Sequence, residues 1–547
     1  MNANELENEL KAILKEAVKK SFDIDVENID IMIPKDKAHG DYASNIAMKI
    51  CGLVKQKPQD VANTLVNNID LAKHQIKKIE VVGPGFMNLF LEENKLAALI
   101  KKIIEKGAEF GKGNPIAEKI NVEFVSANPT GDLHLGHARQ AALGDSICRC
   151  LSFAGYDVAR EYYINDLGNQ IDNLTVSALV RYKELFGINE ELPENGYHGK
   201  EIITLAKSLK EKFGDSLLND ESEETYEKVK SFSTNYMLDE IKRILKEFRV
   251  TFDIWSSEKA NKEAGYTEKA LAKLKPYIYE SEDATWLRTT DFGDDKDRVL
   301  IKTDGAYTYF APDIGYHMDK MQRGYDRLID LLGADHHGYI NRMNAALMGL
   351  GFNKDTLHIE LVQMVRLMEN GQEVKMSKRT GKSVTIKDLV EEVGIDATRY
   401  FFVSRAASTH FDFDLGLAKA TSNENPVYYA QYAYARICSI LESAKQQNIE
   451  LDLNSTLINN PKELQLLRML NEFPNVVVDA AKTLSPYKVC NYIQKVAALF
   501  HGYYSECRVI DKDNLLLSAQ RLALLEATKV VLGNAFDLIA IEKKEKM

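Results

Sequence analysis

Apolar positions at the start of the chain recur at helical spacing. Leu6, Leu10, Ile13, Leu14, Val18 and Phe22 share one face, which predicts an amphipathic helix. Lys57-Pro58 opens another, with Val61 and Leu65 together. The period then shortens. Ile79 to Leu91 reads as two strands about the tight turn Gly83-Pro84-Gly85, because glycine and proline bound a β-rich run. Residues 1–110 therefore predict an N-terminal α+β module, with Lys112-Gly113-Asn114-Pro115 as the hinge that follows it.

A buried strand comes next, on Ile120, Val122 and Phe124; Asn128-Pro129-Thr130-Gly131 breaks it, and a helix follows over Ala138 to Phe153. Val158 to Ile164 reads as the second strand, and Asn165 to Gln170 caps a further helix. From about 175 to 290 the pattern is one of charged helices, with Met237, Leu238, Ile241, Ile244, Leu245 and Phe248 as a core stripe. This is a helical insertion. Strands resume at 298–302, 327–332 and 357–362. Strands separated by helices predict a doubly wound parallel sheet, here over 116–405. Thr385 to Asp388 has the form of a capping box. Residues 406–547 are helical throughout, with Ser485-Pro486 as one start signal, and short linkers imply a bundle. The fold class is multidomain α/β: a Rossmann-like doubly wound parallel-sheet domain, an N-terminal α+β module and a C-terminal all-α helical bundle.

Composition changes this picture little. The 547 residues are 45% hydrophobic and 28% charged, as in ordinary soluble domains. A net charge of −11 argues against a broad nucleic-acid surface, so any RNA contact must be local. The six cysteines form no C-x-x-C pair, which excludes a zinc ribbon and a disulfide framework. No apolar run reaches membrane-spanning length, and the first residues lack a secretion pattern. A cytoplasmic protein is expected.

Two short stretches carry the candidate chemistry. The first is Gly131-Asp132-Leu133-His134-Leu135-Gly136-His137. A strand, a glycine turn and a helix start make a phosphate site, since free backbone N–H groups and the helix dipole face the anion. Two imidazoles three residues apart add donors for charge that moves in a transition state. Zinc would need a third ligand, and no metal site is expected here. The second stretch is Lys375-Met376-Ser377-Lys378, followed by Arg-Thr-Gly-Lys382. Its ammonium groups can act as point charges on a polyphosphate. Alone, each stretch is equally a surface His-x-x-His pair or a solvated basic loop.

Together the two resemble the paired motifs of class I aminoacyl-tRNA synthetases. Val122 to Gly131, Tyr309-Phe-Ala-Pro-Asp313, Gly333-Ala-Asp-His-His-Gly-Tyr339 and Asn425 to Arg436 narrow the resemblance to the arginyl-tRNA synthetases, nearly end to end. Asp132 departs from the small or proline residue expected there. The resemblance implies activation of L-arginine by ATP, with Mg²⁺, and transfer to tRNA(Arg) by a monomer that binds neither DNA nor membrane. It implies that Gly131, His134, Gly136, His137, Lys375, Met376, Ser377 and Lys378 meet ATP, His134, His137, Lys375 and Lys378 being catalytic. Glu123, Ser126, Asn128, Tyr309, Asp313, Asp335 and His337 are then the arginine-side residues; which carboxylate meets the guanidinium stays open. Residues 1–110 and 406–547 become tRNA-binding and anticodon-binding domains, with Asp41, Tyr42 and Asn45 in the first and Tyr428 and Tyr432 in the second as candidate tRNA contacts. Three other readings explain less. A small nucleotidyltransferase would leave both terminal domains idle. A non-catalytic RNA-binding relative would have no need of both histidines and both lysines. A class I enzyme for another amino acid, such as lysine, would need no planar acceptor pair.

Overall fold

The computed structural model describes residues 4–34, 36–218, 220–374 and 384–547. Its N-terminal module holds the antiparallel sheet of β1 (Tyr42–Ser44), β2 (Ile76–Val82) and β3 (Phe86–Leu91), in the order β1-β3-β2. The helix Glu5–Phe22 buries Leu6, Leu10, Ile13, Leu14, Ala17 and Val18 in the same core. Asn4 caps it by accepting from Glu7 N–H at 3.2 Å, which satisfies one orphan donor. The stretch after the module is not a free hinge. Gly113 N–H donates to Phe153 and Ile116 N–H to Gly155, each at 2.8 Å. A Cβ at Gly113 would lie 2.1 Å from the Ala154 carbonyl oxygen, so the close approach needs glycine.

The central sheet has five parallel strands in the order β11-β10-β4-β5-β6: β4 is Lys119–Glu123, β5 Asp157–Ile164, β6 Ile254–Ser257, β10 Arg327–Gly333 and β11 Leu357–Val362. Here the structure corrects two sequence expectations. Residues 254–257 are the edge strand of this sheet, although they lie within the segment expected to be a helical insertion. Conversely, β9 (Arg298–Ile301) joins β7 (Ile278–Ser281) and β8 (Ala284–Leu287) in a separate antiparallel sheet. The period of a four-residue strand says nothing about which sheet it pairs with, and β6 is half-buried along its length, so it lacks the apolar run that marks an inner strand.

The helix Leu135–Phe153 packs on this sheet so closely that a Cβ at Gly144 would lie 2.3 Å from the Phe124 ring. β12 (Val365–Glu369) then pairs with β13 (Gln372–Glu373) and, in parallel, with β14 (Phe411–Asp414). Thr385 and Asp388 form the expected capping box of the helix Ile386–Val393. In contrast Ser485 caps nothing, its hydroxyl donating to Thr483 O instead.

The helical domain is tied to both others. At the end of Leu515–Ile539, where orphan carbonyls carry partial negative charge, Arg149, Arg399 and Arg249 donate to the carbonyls of Asp537, Ile539 and Ala540. Arg399 also pairs with Asp145, both fully buried, at 2.6 Å; Asp145 lies on the helix Leu135–Phe153. At the other contact lie the expected tRNA residues of the N-terminal module. Tyr42 is only 3% exposed, and its hydroxyl accepts from Asn471 at 2.7 Å. Asp41 accepts from Leu91 N–H and pairs with Arg468. Both face the helix Pro461–Asn471, because a buried hydroxyl and carboxylate need partners and that helix supplies them. Asn45 is half-buried at the start of the helix Ile46–Val54 without a side-chain capping bond.

Candidate active site

The chain leaves β4 under strain. Ser126 N–H donates back to Phe124 O at 3.0 Å, making a γ-turn centred on Val125 at φ 69°, and Ser126 follows at φ 38°. A β-branched residue in left-handed space is costly, of order 1–3 kcal/mol, and persists only where neighbours over-determine it. They do so here. The Ser126 hydroxyl donates to Glu123 and accepts from Tyr163 N–H, both at 3.0 Å. Asn128 then donates to Gln170 at 2.7 Å.

The turn delivers the two histidines to the start of Leu135–Phe153. His134 is the N-cap: its Nδ1 accepts from Gly136 N–H at 3.1 Å, and His137 Nδ1 accepts from His134 N–H at 3.3 Å. The rings stack with centroids 3.7 Å apart. A Cβ at Gly136 would lie 3.0 Å from the His134 ring, so this glycine serves the imidazole geometry as well as any ligand. Since each Nδ1 accepts, each ring carries its proton on Nε2. Burial lowers the His134 pKa, and burial together with His134 takes His137 down to about 3. Both are neutral Nε2–H donors beside the positive end of a helix.

The segment after the lysine-rich loop is fastened to this turn. Leu135 N–H donates to Val384 O at 3.2 Å and Ile386 N–H to Leu133 O at 2.9 Å, with a bridge between His134 and Thr385. Lys375, Met376, Ser377 and Lys378 themselves lie outside the described residues.

The other end of the site is built from charge. Asp330, Glu123 and Glu161 stand in register on β10, β4 and β5. One helix, Phe310–Gln322, and the residue that ends it answer them. Lys320, 0% exposed, donates to Glu123 at 2.5 Å and to Asp330 at 3.1 Å. Arg323 donates to both oxygens of Glu161 at 2.9 Å and also pairs with Asp319. Tyr316 donates to Glu123 at 2.7 Å, and His317 meets Asp330 at 2.8 Å.

Asp313, on the first turn of this helix, is different. Among the described residues no cation lies within ion-pair distance of it. Burial, opposed by His317, Tyr339 and Arg342 and aided by Glu123, raises its pKa to about 6. Beside it is a cleft of about 510 Å³ lined by Tyr163, Glu258, Tyr266, Tyr309, Pro312 and Tyr316. Glu258 is also raised, by burial and then by Asp166 and Asp313. Lys262, which also lines the cleft, opposes the rise at Glu258, so Asp313 is the carboxylate placed to take a cation beside this aromatic cleft.

The structure thus brings Glu123, Ser126 and Asp313 together, with Asn128 at the same turn. Tyr309 caps the cleft from outside at 93% exposed. Asp335 and His337 follow β10 and are exposed. Tyr428 and Tyr432 stack at 6.2 Å, and Tyr432 stacks in turn on His501 at 5.8 Å, on a helix of the C-terminal domain. Glu258 and Asp166 were not foreseen. Their signal, a serine cap at Ser257 after a short strand, depends on recognising β6. Among the described residues no group of three or more His, Cys, Asp or Glu is placed to hold a metal ion, and no helix is long and apolar enough to cross a membrane.

Known proteins share this arrangement. The family model "tRNA synthetases class I (R), catalytic domain" matches residues 99–403. "Arginyl tRNA synthetase N terminal domain" matches 7–91, and "DALR anticodon binding domain" matches 430–547. An arginine–tRNA ligase of Bacillus subtilis (strain 168) is 49% identical, covering 98% of this chain and 99% of its own. That of Bacillus velezensis is 49% identical over 100% of both. A solved structure, a putative arginyl t-RNA synthetase from Campylobacter jejuni, aligns with TM-score 0.77 at 37% identity over 84% of this chain and 100% of its own. The Thermus thermophilus arginyl-tRNA synthetase aligns with TM-score 0.76 over 99% of this chain and 100% of its own; at 21% identity that is a likeness of fold.

Proposed function

The chain belongs to the arginyl-tRNA synthetase family, and from that premise we propose how its residues divide the reaction between them. It is a class I arginine–tRNA ligase and uses ATP. In the first step a carboxylate oxygen of arginine attacks the α-phosphorus, the bond to the bridging oxygen breaks, and pyrophosphate leaves. A hydroxyl of the terminal adenosine of tRNA then attacks the acyl carbon, loses its proton, and AMP leaves.

His134 and His137 donate through Nε2–H to oxygens around the α-phosphate. Neutral donors suit this task, because they follow the growing charge without needing to gain or lose a proton. Gly131 and Gly136 leave room for the nucleotide beside the backbone. Lys375 and Lys378, with Ser377 and Met376, cover the β- and γ-phosphates. The segment from Val384 to Ile386, which follows them in sequence, is bonded to Leu133 and Leu135. Mg²⁺, where ATP brings it, would be held mainly through the nucleotide and water rather than by a protein cage and would supply charge neutralisation.

The observation that carries the arginine end is the half-buried Asp313 carboxylate beside the cleft, which among the described residues has no cation within ion-pair distance. A guanidinium is permanently charged and planar, and it takes a carboxylate through two parallel N–H bonds. Asp313 supplies the charge. Glu123 offers Oε1 as a second acceptor, its Oε2 being held by Lys320 and Tyr316. Tyr309 closes over the cleft, Ser126 and Asn128 line the strand end on the α-amino side, and Asp335 and His337 face the ribose. The partly exposed Tyr428–Tyr432 stack offers a face for a splayed base. The molecule acts as a monomer in three parts, 1–110, 116–405 and 406–547. Aminoacylation of tRNA(Arg) with arginine, lysine and citrulline tests the arginine end: arginine alone should be charged well, and equal use of lysine would overturn the assignment.

A further inference from the structure

His317 lies beneath the arginine cleft, 3% exposed. Its Nδ1 is 2.7 Å from the carbonyl oxygen of Asp313, and its Nε2 is 2.8 Å from the carboxylate of Asp330. A carbonyl oxygen only accepts. Asp330 is ionised, because its other oxygen takes Lys320 at 3.1 Å. Both ring nitrogens therefore face acceptors, and both bonds require the nitrogen to carry the proton.

We propose that His317 is a buried imidazolium that acts as a positioning residue for arginine recognition, clamping the Asp313 main chain to β10 and keeping the Asp313 side chain ionised for the guanidinium. The charge count supports this. Glu123, Glu161 and Asp330 stand in register as three carboxylates against two cations: Lys320, which Glu123 and Asp330 share, and Arg323, which Glu161 shares with Asp319. A neutral ring would leave this buried group short of positive charge, an expensive state. The groups that face the ring come from four elements. Asp313, Tyr316 and Lys320 are on its own helix, and Asp330 is on β10. Tyr339, on the helix Tyr339–Gly349, has its ring 6.5 Å away and is hydrogen-bonded to the Asp313 carboxylate. Glu123 on β4 reaches the group through Lys320. The pKa of His317 is raised despite burial, chiefly by Asp330, and His317 in turn is the largest influence that lowers Asp313.

The role rests on the reading of Asp313 as the guanidinium partner, but its first test does not. In protein labelled with ¹⁵N-histidine, the signal lost in His317→Gln should show protons on both ring nitrogens at pH 8, where ordinary histidines are neutral. One bare nitrogen would overturn the proposal whatever Asp313 does. If His317→Gln does not fold, His317→Asn serves for the same assignment. The second test is kinetic. His317→Gln keeps a donor and loses the charge. The acid limb of kcat/KM for arginine should move up by about one pH unit, so KM for arginine should rise about twofold at pH 7 and about fivefold at pH 6. KM for ATP should stay put. A uniform loss with the limb unmoved would mean that His317 only holds the fold. Asp313→Asn separates the two readings: if arginine still binds normally there, the guanidinium assignment fails while the ¹⁵N result stands.

Discussion

The two ends of the cleft recognise opposite charges by opposite means. Among the described residues the nucleotide end is a short turn, Leu133 to His137, that presents two neutral imidazoles, a helix start and glycine, with the charges of Lys375 and Lys378 proposed to join it. The arginine end is assembled from β4, β5, β10 and the helix Phe310–Gln322, and it is a lattice of paired charges beside which Asp313, among the described residues, has no cation within ion-pair distance. An anion can be held by main-chain donors that any sequence supplies. A cation with five donors must be met by carboxylates, and buried carboxylates need cations of their own to hold them in place. Recognition of arginine therefore costs the fold a network, and recognition of ATP costs it a turn.

That contrast orders the expected effects. Asp313→Asn should be the most damaging change, because it leaves the guanidinium buried opposite a neutral amide. Removing one partner of a buried pair costs about 3–5 kcal/mol, which should appear in kcat/KM for arginine with KM for ATP little changed. His137→Ala comes next. The loss of one transition-state donor should lower ATP–pyrophosphate exchange by about 10²–10³-fold, with the circular dichroism spectrum unchanged; a wild-type rate would remove this histidine from the mechanism.

The difference also accounts for what was legible in the sequence. The His134–His137 motif and the capping box at Thr385 are local, so their strand–turn–helix setting follows from adjacent residues. Glu123 and Asp313 came from resemblance to a family, and nothing in their spacing says that one is answered by Lys320 and the other is not. His317 and Lys320 read as ordinary helix residues, since only the pairing of β4, β5 and β10 places carboxylates beneath them. The partners of Asp41 and Tyr42 were hidden for the same reason, since the helix that carries Arg468 and Asn471 lies far away in sequence.

The pH profiles should separate the two ends with a smaller effect. Asp313, raised to about 6, accepts a proton as pH falls, so kcat/KM for arginine should decline through about pH 6. His137, lowered to about 3, stays neutral through that range, and burial lowers His134 as well, so binding of ATP should show no matching limb. A shared limb for both substrates would blur the contrast. Smallest of all is Tyr42→Phe, which removes the hydroxyl that Asn471 meets. It should lower stability by about 1 kcal/mol and leave the kinetics of both substrates alone; an unfolding titration with tRNA binding alongside checks it.

The central claim is that charge on Asp313 selects the guanidinium, and one comparison tests it most directly. Citrulline has the shape of arginine without the charge. The ratio of kcat/KM for arginine to that for citrulline, measured in the wild type and in Asp313→Asn, isolates the charge term from every other contact. The account predicts a large ratio in the wild type that falls to near parity in the variant. A variant that is slower overall yet keeps the wild-type ratio would contradict it.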